Sequence, residues 1–457
     1  MERSTQLRIG KVVIYLRGKV WYLRYHEQGR RRQVRASTDL NSARQLASQV
    51  NAQLEVGAPA ATSFEPLSMP ELRSRWLDHH EHVRRSSIAT VTRYRTATDH
   101  LLRFVKKVMP VRHASQFRGT HAEAFVRHLR ELKVAPNGHA NTTKRLLRDK
   151  GLKFVLETCR SMFNFAIKRR HMPPYADNPF TVIEIDRIPI EDAKPVVVFD
   201  RDQEADLLNA CDDWQFPIML TLALTGLRPG ELTRLLLPDD IDLAEGWLWV
   251  RNKPELGWQT KTRAERRVPL LPELVEVLKV VIGARTEGPV FVRRRFTKGD
   301  RPALNGLSRQ ELTDIFTARV ETAMSDQVDP SRRAARQRCC DPFWMDLGAI
   351  KPEVLRLEFM RLTSAIGLPK ITAPKTLRHG FATWLQDANV DPMIRSELMG
   401  HSTSASSKGP LGMTSVYTHT RTDTLRRQHQ SAMESRSIVA LGRKWSDSQQ
   451  RAVPRVA

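Results

Sequence analysis

What this chain lacks narrows it first. Among its 457 residues no apolar run approaches the roughly 20 needed to span a bilayer. The opening Met1-Glu-Arg-Ser-Thr-Gln-Leu-Arg carries no apolar core of a secretory signal, so a cytoplasmic protein is expected. Cysteine is scarce, four residues in all, and Cys159, Cys211, Cys339 and Cys340 fit neither a zinc template nor a disulfide framework. The carboxylates do not cluster as a two-metal nuclease requires, and no glycine-rich phosphate loop is present. Neither a metal nor a nucleotide cofactor is expected. Acidic residues are in deficit, 50 against 74 Lys and Arg, which leaves a net charge of +24. Such an excess favours a polyanionic partner, because each neutralised phosphate releases condensed counterions.

What is present divides into three stretches. Residues 11–35 alternate β-branched and aromatic residues between glycines, the pattern of a small meander, and a helix is expected from Ser42 to about Glu55. Residues 1–35 hold ten Lys or Arg against two Glu, with Trp21, Tyr22 and Tyr25 interleaved. That mixture suits DNA, with Arg30, Arg31 and Arg32 available for phosphates, and the same aromatics also suit a miniature core. A Gly57-Ala-Pro-Ala-Ala-Thr-Ser linker follows. From Met69 to Arg170 the periodicity is helical throughout, clearest over Lys153–Arg170, with apolar residues at 154, 155, 159, 162, 163 and 166. Lys144, Arg145, Lys168, Arg169 and Arg170 give this block a basic face. Pro173-Pro174 and Asn178-Pro179 end it. From about Asp200 the chain reads as a larger, mostly helical domain, interrupted by a β-ribbon at Trp247–Arg251, a central strand near 257–261, and Arg266–Leu271. The organisation is therefore a sheet module with linker over 1–62, a helical domain over 63–182, and a larger domain over 192–457. The fold class is mainly α with small β elements.

Five spaced motifs in the third stretch point to chemistry. The segment Thr221–Leu237 contains an apolar helix, then Thr225-Gly-Leu-Arg228, then Glu231-Leu. Lys261 lies between two threonines, eight residues before Pro269. Pro374-Lys375-Thr-Leu-Arg378-His opens a further helix, with Thr372 expected as its N-cap. Glu397-Leu-Met-Gly-His401-Ser and Thr414-Ser-Val-Tyr417-Thr complete the series. In this order they resemble the signature boxes of tyrosine site-specific recombinases of the phage-integrase family.

The resemblance implies a DNA strand-breaking and rejoining enzyme acting through a 3′-phosphotyrosine and integrating or excising a mobile element. By motif match, Tyr417 is the nucleophile, Arg228 and Arg378 clamp the phosphate, Lys261 protonates the leaving hydroxyl, His401 donates to the phosphate, and Glu231 supports Arg228. Lys375 occupies the position of the family's usual histidine; charged, it can donate to phosphate but cannot accept a proton. His401 and Tyr417 stand sixteen positions apart where the family has about nine, which reads as a loop insertion at a place where length costs little. The resemblance further implies an N-terminal three-stranded sheet plus helix as an arm-type DNA-binding module, a helical core-binding domain, and a mixed α/β catalytic domain. Its implied partners are double-stranded DNA, three further copies in a homo-tetramer on two DNA sites, and an accessory DNA-bending or directionality protein. Residues 425–445 would dock onto a neighbouring copy. Two other readings stay open: a topoisomerase-like strand transferase, and a DNA-binding relative in which catalysis is impaired or lost.

Overall fold

The computed structural model describes residues 6–135, 141–174, 176–193, 195–297, 299–325, 331–401 and 420–452. The chain folds as two units, residues 1–194 and 195–457.

The first unit opens with an antiparallel meander of β1 (Gln6–Ile9), β2 (Val12–Arg17), β3 (Val20–Glu27) and β4 (Arg30–Ser37), paired in chain order. Three strands were expected; the fourth is Gln6–Ile9, which pairs with β2 from Gln6–Tyr15 to Ile9–Val12. Helix α1 (Leu40–Glu55) begins at Asp39, whose carboxylate accepts from the Ser42 amide. One sheet face packs Val12, Ile14, Leu23 and Tyr25 against Ala43, Ala47 and Val50 of α1. The small alanines let helix and sheet approach closely, so the contact line runs through them while Leu46 and Leu54 flank it.

The helical part comprises α2 (Met69–Asp78), α3 (Ile88–Lys107), α4 (Gly119–Glu131) and α5 (Asp149–Lys168) around Trp76, Phe104, Phe117, Phe125, Phe163 and Phe180. Its helical run is not unbroken. A two-stranded pair, β5 (Lys133–Val134) and β6 (Arg145–Leu146), separates α4 from α5. The periodicity read on α5 is the one that packs: Val155, Cys159, Met162, Phe163 and Ala166 are buried.

The second unit is built around α7. In chain order it begins with α6 (Arg201–Asn209), α7 (Gln215–Thr225) and the single-turn α8 (Pro229–Leu232). Strands β7 (Leu236–Leu237), β8 (Ile241–Asp242), β9 (Trp247–Val250) and β10 (Arg266–Pro269) follow, then α9 (Pro272–Ile282) and β11 (Gly288–Pro289). Helices α10 (Arg309–Ser325), α11 (Arg332–Asp346), α12 (Pro352–Ala365), α13 (Lys375–Asp387), α14 (Pro392–Met399), α15 (Thr422–Glu434) and α16 (Ser437–Ala452) complete it. Every residue of α7 is buried; its sequence is almost wholly apolar, and the hydroxyls of Thr221 and Thr225 donate to the Pro217 and Thr221 carbonyls one turn back. Strands β8, β9 and β10 form a three-stranded sheet with β9 central. The expected central strand near 257–261 is absent; that segment forms a 3-10 turn at Pro254–Leu256 and an irregular loop, because Gly257 turns the chain with positive φ.

Helices α15 and α16 pack on their own chain. Leu425, Ala432, Met433, Ile438 and Val439 belong to the unit's core, His429 is buried against Phe381, and Trp445 stacks on Phe216 with centroids 5.4 Å apart. Between the two helices Arg436 is buried against Glu204 at 2.8 Å and the Ala223 carbonyl at 2.7 Å. The residues read as docking onto a neighbour thus contribute to this unit's own core. All four cysteines are free thiols. Among the described residues no helix is long and apolar enough to cross a membrane.

Candidate active site

The site starts where α7 ends. Gly226 takes φ +62°, and a Cβ there would lie 2.2 Å from the Phe381 ring, so conformation and space both demand glycine. The turn delivers Arg228 as N-cap of α8. Its amide donates to Glu231 Oε2 at 2.9 Å and its guanidinium to Glu231 Oε1 at 2.6 Å. Arg266, on β10, closes on the same carboxylate from the other side at 2.6 and 3.2 Å. Glu231 is therefore a buried bridge between two arginines. Burial alone would raise its carboxyl pKa, but the hydrogen bonds and charges of Arg266 and Arg228 outweigh it and hold the group below the usual carboxylate value. Sequence reasoning missed Arg266. The strand alternation Arg266-Arg-Val-Pro, which points residues 266 and 268 to the same face, was the available signal.

Arg378 lies one turn into α13. Its guanidinium donates to the Gly226 carbonyl at 2.5 Å and to the Met399 carbonyl at the end of α14. Burial, then the charges of Arg228 and Arg266, push its pKa down to about 10, with Glu231 opposing. It remains a cation at neutral pH. The N-cap of α13 is Pro374, with no side-chain cap; Thr372 lies two residues too early, because Pro374 already takes helical φ and ψ and Thr376 bonds back to Ala373. Lys375 is exposed at the first helical position, and its charge with that of Arg378 adds to burial in lowering the pKa of His379. His401 follows α14, its amide bonded to the Ser396 carbonyl at 3.0 Å. Partial burial, then the charges of Arg378, Arg228 and Arg266, lower the imidazole pKa, which favours the neutral ring. The structure thus brings Arg228, Glu231, Arg378 and His401 together with Arg266. Two guanidiniums with a neutral imidazole donor can neutralise and hold a tetrahedral anion.

Lys261 sits exposed in the turn of the β9–β10 connection. Asn252 organises that loop: its side chain accepts from the Thr260 amide and hydroxyl at 2.9 and 3.1 Å and donates to the Arg263 carbonyl at 2.9 Å. Tyr417 and the expected insertion at 402–416 lie outside the described residues.

In the first unit, Arg30 and Arg31 are exposed while Arg32 pairs with Glu27 at 3.5 Å. Strand register places Arg8, Tyr15, Tyr22, Arg24 and Arg35 together on the sheet face away from α1. Tyr15 and Tyr22 stack there at 5.8 Å with the Arg24 guanidinium over Tyr15, while Tyr25 is core. Among the interleaved aromatics, then, Tyr22 faces outward and Tyr25 inward. Lys144 and Arg145 are exposed on and beside β6, and Lys168, Arg169 and Arg170 are exposed at the end of α5.

Comparison with known proteins agrees with this architecture. Residues 198–340 match the model of the phage integrase family. The chain is 26% identical over 223 residues to the tyrosine recombinase XerD of Lacticaseibacillus casei, spanning 47% of this chain and 56% of that protein. It is 38% identical over 71 residues to the tyrosine recombinase XerC of Bradyrhizobium diazoefficiens, spanning 16% of this chain and 20% of that protein. The chain thus spans between a fifth and just over half of these relatives. In fold it is similar to the Tn1549 transposon integrase solved in complex with a circular intermediate DNA. That likeness has a TM-score of 0.50 at 18% identity, over 80% of this chain and 99% of that one.

Proposed function

We propose that this chain, which over residues 198–340 matches the phage integrase family, is a site-specific DNA recombinase, cutting and rejoining strands through a 3′-phosphotyrosine at Tyr417 to integrate or excise a mobile element. The observation that carries this reading is the buried Glu231 bridge, which fixes Arg228 beside Arg378 and His401. A pentacoordinate phosphorus builds charge on its non-bridging oxygens. Preorganised guanidiniums stabilise that charge at no reorganisation cost, each worth on the order of 10²–10³ in rate.

In the forward step the Tyr417 oxygen bonds to phosphorus, its phenolic proton leaves to solvent, and the bond to the 5′ oxygen breaks. Lys261 passes a proton to that oxygen, which otherwise departs as a poor alkoxide. Lys375 donates to the phosphate. In rejoining, a 5′ hydroxyl attacks the phosphotyrosine and the phenol leaves. Residues 1–62 act as an arm-type DNA-binding module, its open arginine and tyrosine face supplying phosphate contacts. Residues 63–182 hold core DNA with Lys144, Arg145, Lys168, Arg169 and Arg170, and residues 192–457 are catalytic. Four copies assemble on two sites, with an accessory DNA-bending protein setting direction.

The test is covalent trapping. The protein is incubated with nicked duplexes of randomised sequence, denatured, and examined for a DNA adduct that Tyr417→Phe lacks; sequencing the trapped DNA identifies the site. Binding without any adduct supports a DNA-binding role alone. Plasmid relaxation without exchange between two sites supports a topoisomerase-like activity.

A further inference from the structure

The hairpin of α10 and α11 has no role in the mechanism so far, yet it is built against the loop that carries Lys261. It has its own core, in which Phe316, Val320, Phe343 and Trp344 pack with Leu236 and Leu256. Leu256 lies within the lysine loop, and Leu236 follows the segment that carries Arg228 and Glu231. Contacts from both helices tie the hairpin to the loop. The Trp344 indole donates to the Leu256 carbonyl at 3.1 Å. Arg309 pairs with Glu255, and Arg336 donates to the Pro254 carbonyl. Gly257 lies so close to Phe316 that a Cβ would come within 2.6 Å of its ring. The Arg234 guanidinium, three residues beyond Glu231, sits 4.8 Å over the Trp344 ring. One indole thus touches both the lysine loop and the arginine segment. The loop's upstream limb is further pinned by Lys253, buried against Asp240 at 2.7 Å.

We infer that the α10–α11 hairpin positions Lys261, with Trp344 as the positioning residue that registers the lysine loop to the Arg228 segment. This rests on the recombinase reading and extends it. An exposed lysine on an unsupported loop samples many positions, and proton transfer in the transition state needs the donor within hydrogen-bond reach of the leaving oxygen. The hairpin removes that freedom on the side of the loop that Asn252 does not hold. Lys261 transfers the proton; Trp344, Arg309 and Arg336, bonded to Leu256, Glu255 and Pro254 of its loop, act through it.

The test uses the leaving group. Once trapping has identified the site, two duplexes are compared, one natural and one with sulfur replacing the bridging 5′ oxygen. An alkyl thiol, with a pKa of about 8.5, leaves without a proton, whereas an alcohol does not. Trp344→Phe, and Arg309→Gln as a variant at a half-exposed pair that leaves the core intact, should cleave the natural duplex about tenfold to a hundredfold more slowly. Both should return to within about threefold of the parent on the sulfur duplex, as Lys261→Ala should. Equal losses on both duplexes, or no loss on either, overturn the inference; so does a Lys261→Ala that sulfur does not rescue. A parent chain for which trapping yields no adduct, and so no site, refutes the recombinase reading instead.

Discussion

Glu231→Gln is the perturbation whose consequences the structure specifies most fully. Glu231 accepts from the Arg228 amide, the Arg228 guanidinium and both terminal nitrogens of Arg266, and both it and the Arg266 side chain are 3% exposed. Gln keeps the shape but removes the charge, and its amide nitrogen must point a donor at a guanidinium. Arg266 is then a buried cation without its counter-ion, a change that costs about 3–5 kcal/mol. In a unit of this size the melting temperature should fall by roughly 6–15 °C. Since Arg228 loses the partner that fixes it, adduct formation should fall by about 10²–10³ even at temperatures where the variant is fully folded. The double variant Glu231→Gln/Arg266→Met removes the unpaired charge as well. It should recover most of the lost stability, because replacing both members of a buried pair is often nearly neutral. It should recover little activity, because Arg228 stays unsupported. Calorimetry and the trapping assay read the two effects separately. A Glu231→Gln that loses less than about 1 kcal/mol, or a double variant no more stable than the sum of the singles, would refute the bridge as described.

Two further outcomes follow from other parts of the molecule. His429 is buried with Nε2 at 3.2 Å from the Leu224 carbonyl and Nδ1 without a partner, and burial, above all, pushes its pKa down to about 4. Between its unfolded value near 6.5 and 4 the unfolded chain binds the proton first, so acid removes roughly 3 kcal/mol over that window and no more below it. His429→Gln should flatten the fall in melting temperature between pH 6.5 and 4.5, and parallel curves for the two proteins would count against this. On the N-terminal sheet, Arg24→Gln with Arg35→Gln should weaken DNA binding at all sequences and lower the slope of log affinity against log salt by up to about 0.9 per lost phosphate contact. An unchanged slope would remove the open face from the interface.

Much of the site could be read along the chain because its signals are local. Thr225-Gly-Leu-Arg228 encodes a helix end, a left-handed glycine and an N-cap within a few residues, and Glu231 closes back on the same turn. Arg378 and His401 are legible through the motif resemblance, one lying a turn into α13 and the other just after the Gly400 that ends α14. Where local signals conflicted, the stronger one won: Pro374, not Thr372, starts α13, and Gly257 turns a segment that reads as strand. The lack of a long apolar run argued against a membrane-crossing helix, and the charge balance, which depends only on counts, favoured a polyanionic partner.

Tertiary structure decided everything that joins distant residues. Arg266 reaches Glu231 across 35 positions, Trp344 reaches Leu256 across 88, and Arg436 reaches Glu204 across 232. Nothing in the sequence near either member announces its partner. The arginines of the N-terminal strands are equally evident in composition, but only the strand register decides which face Arg24 and Arg35 share and that Arg32 is bound to Glu27. The fold's own packing lays α15 on α13 and β10 and α16 on α9 and α6, where the family resemblance implied docking onto a neighbouring copy. An apolar stripe states that a face must be covered and leaves open which surface covers it; that choice is made only when the whole unit packs.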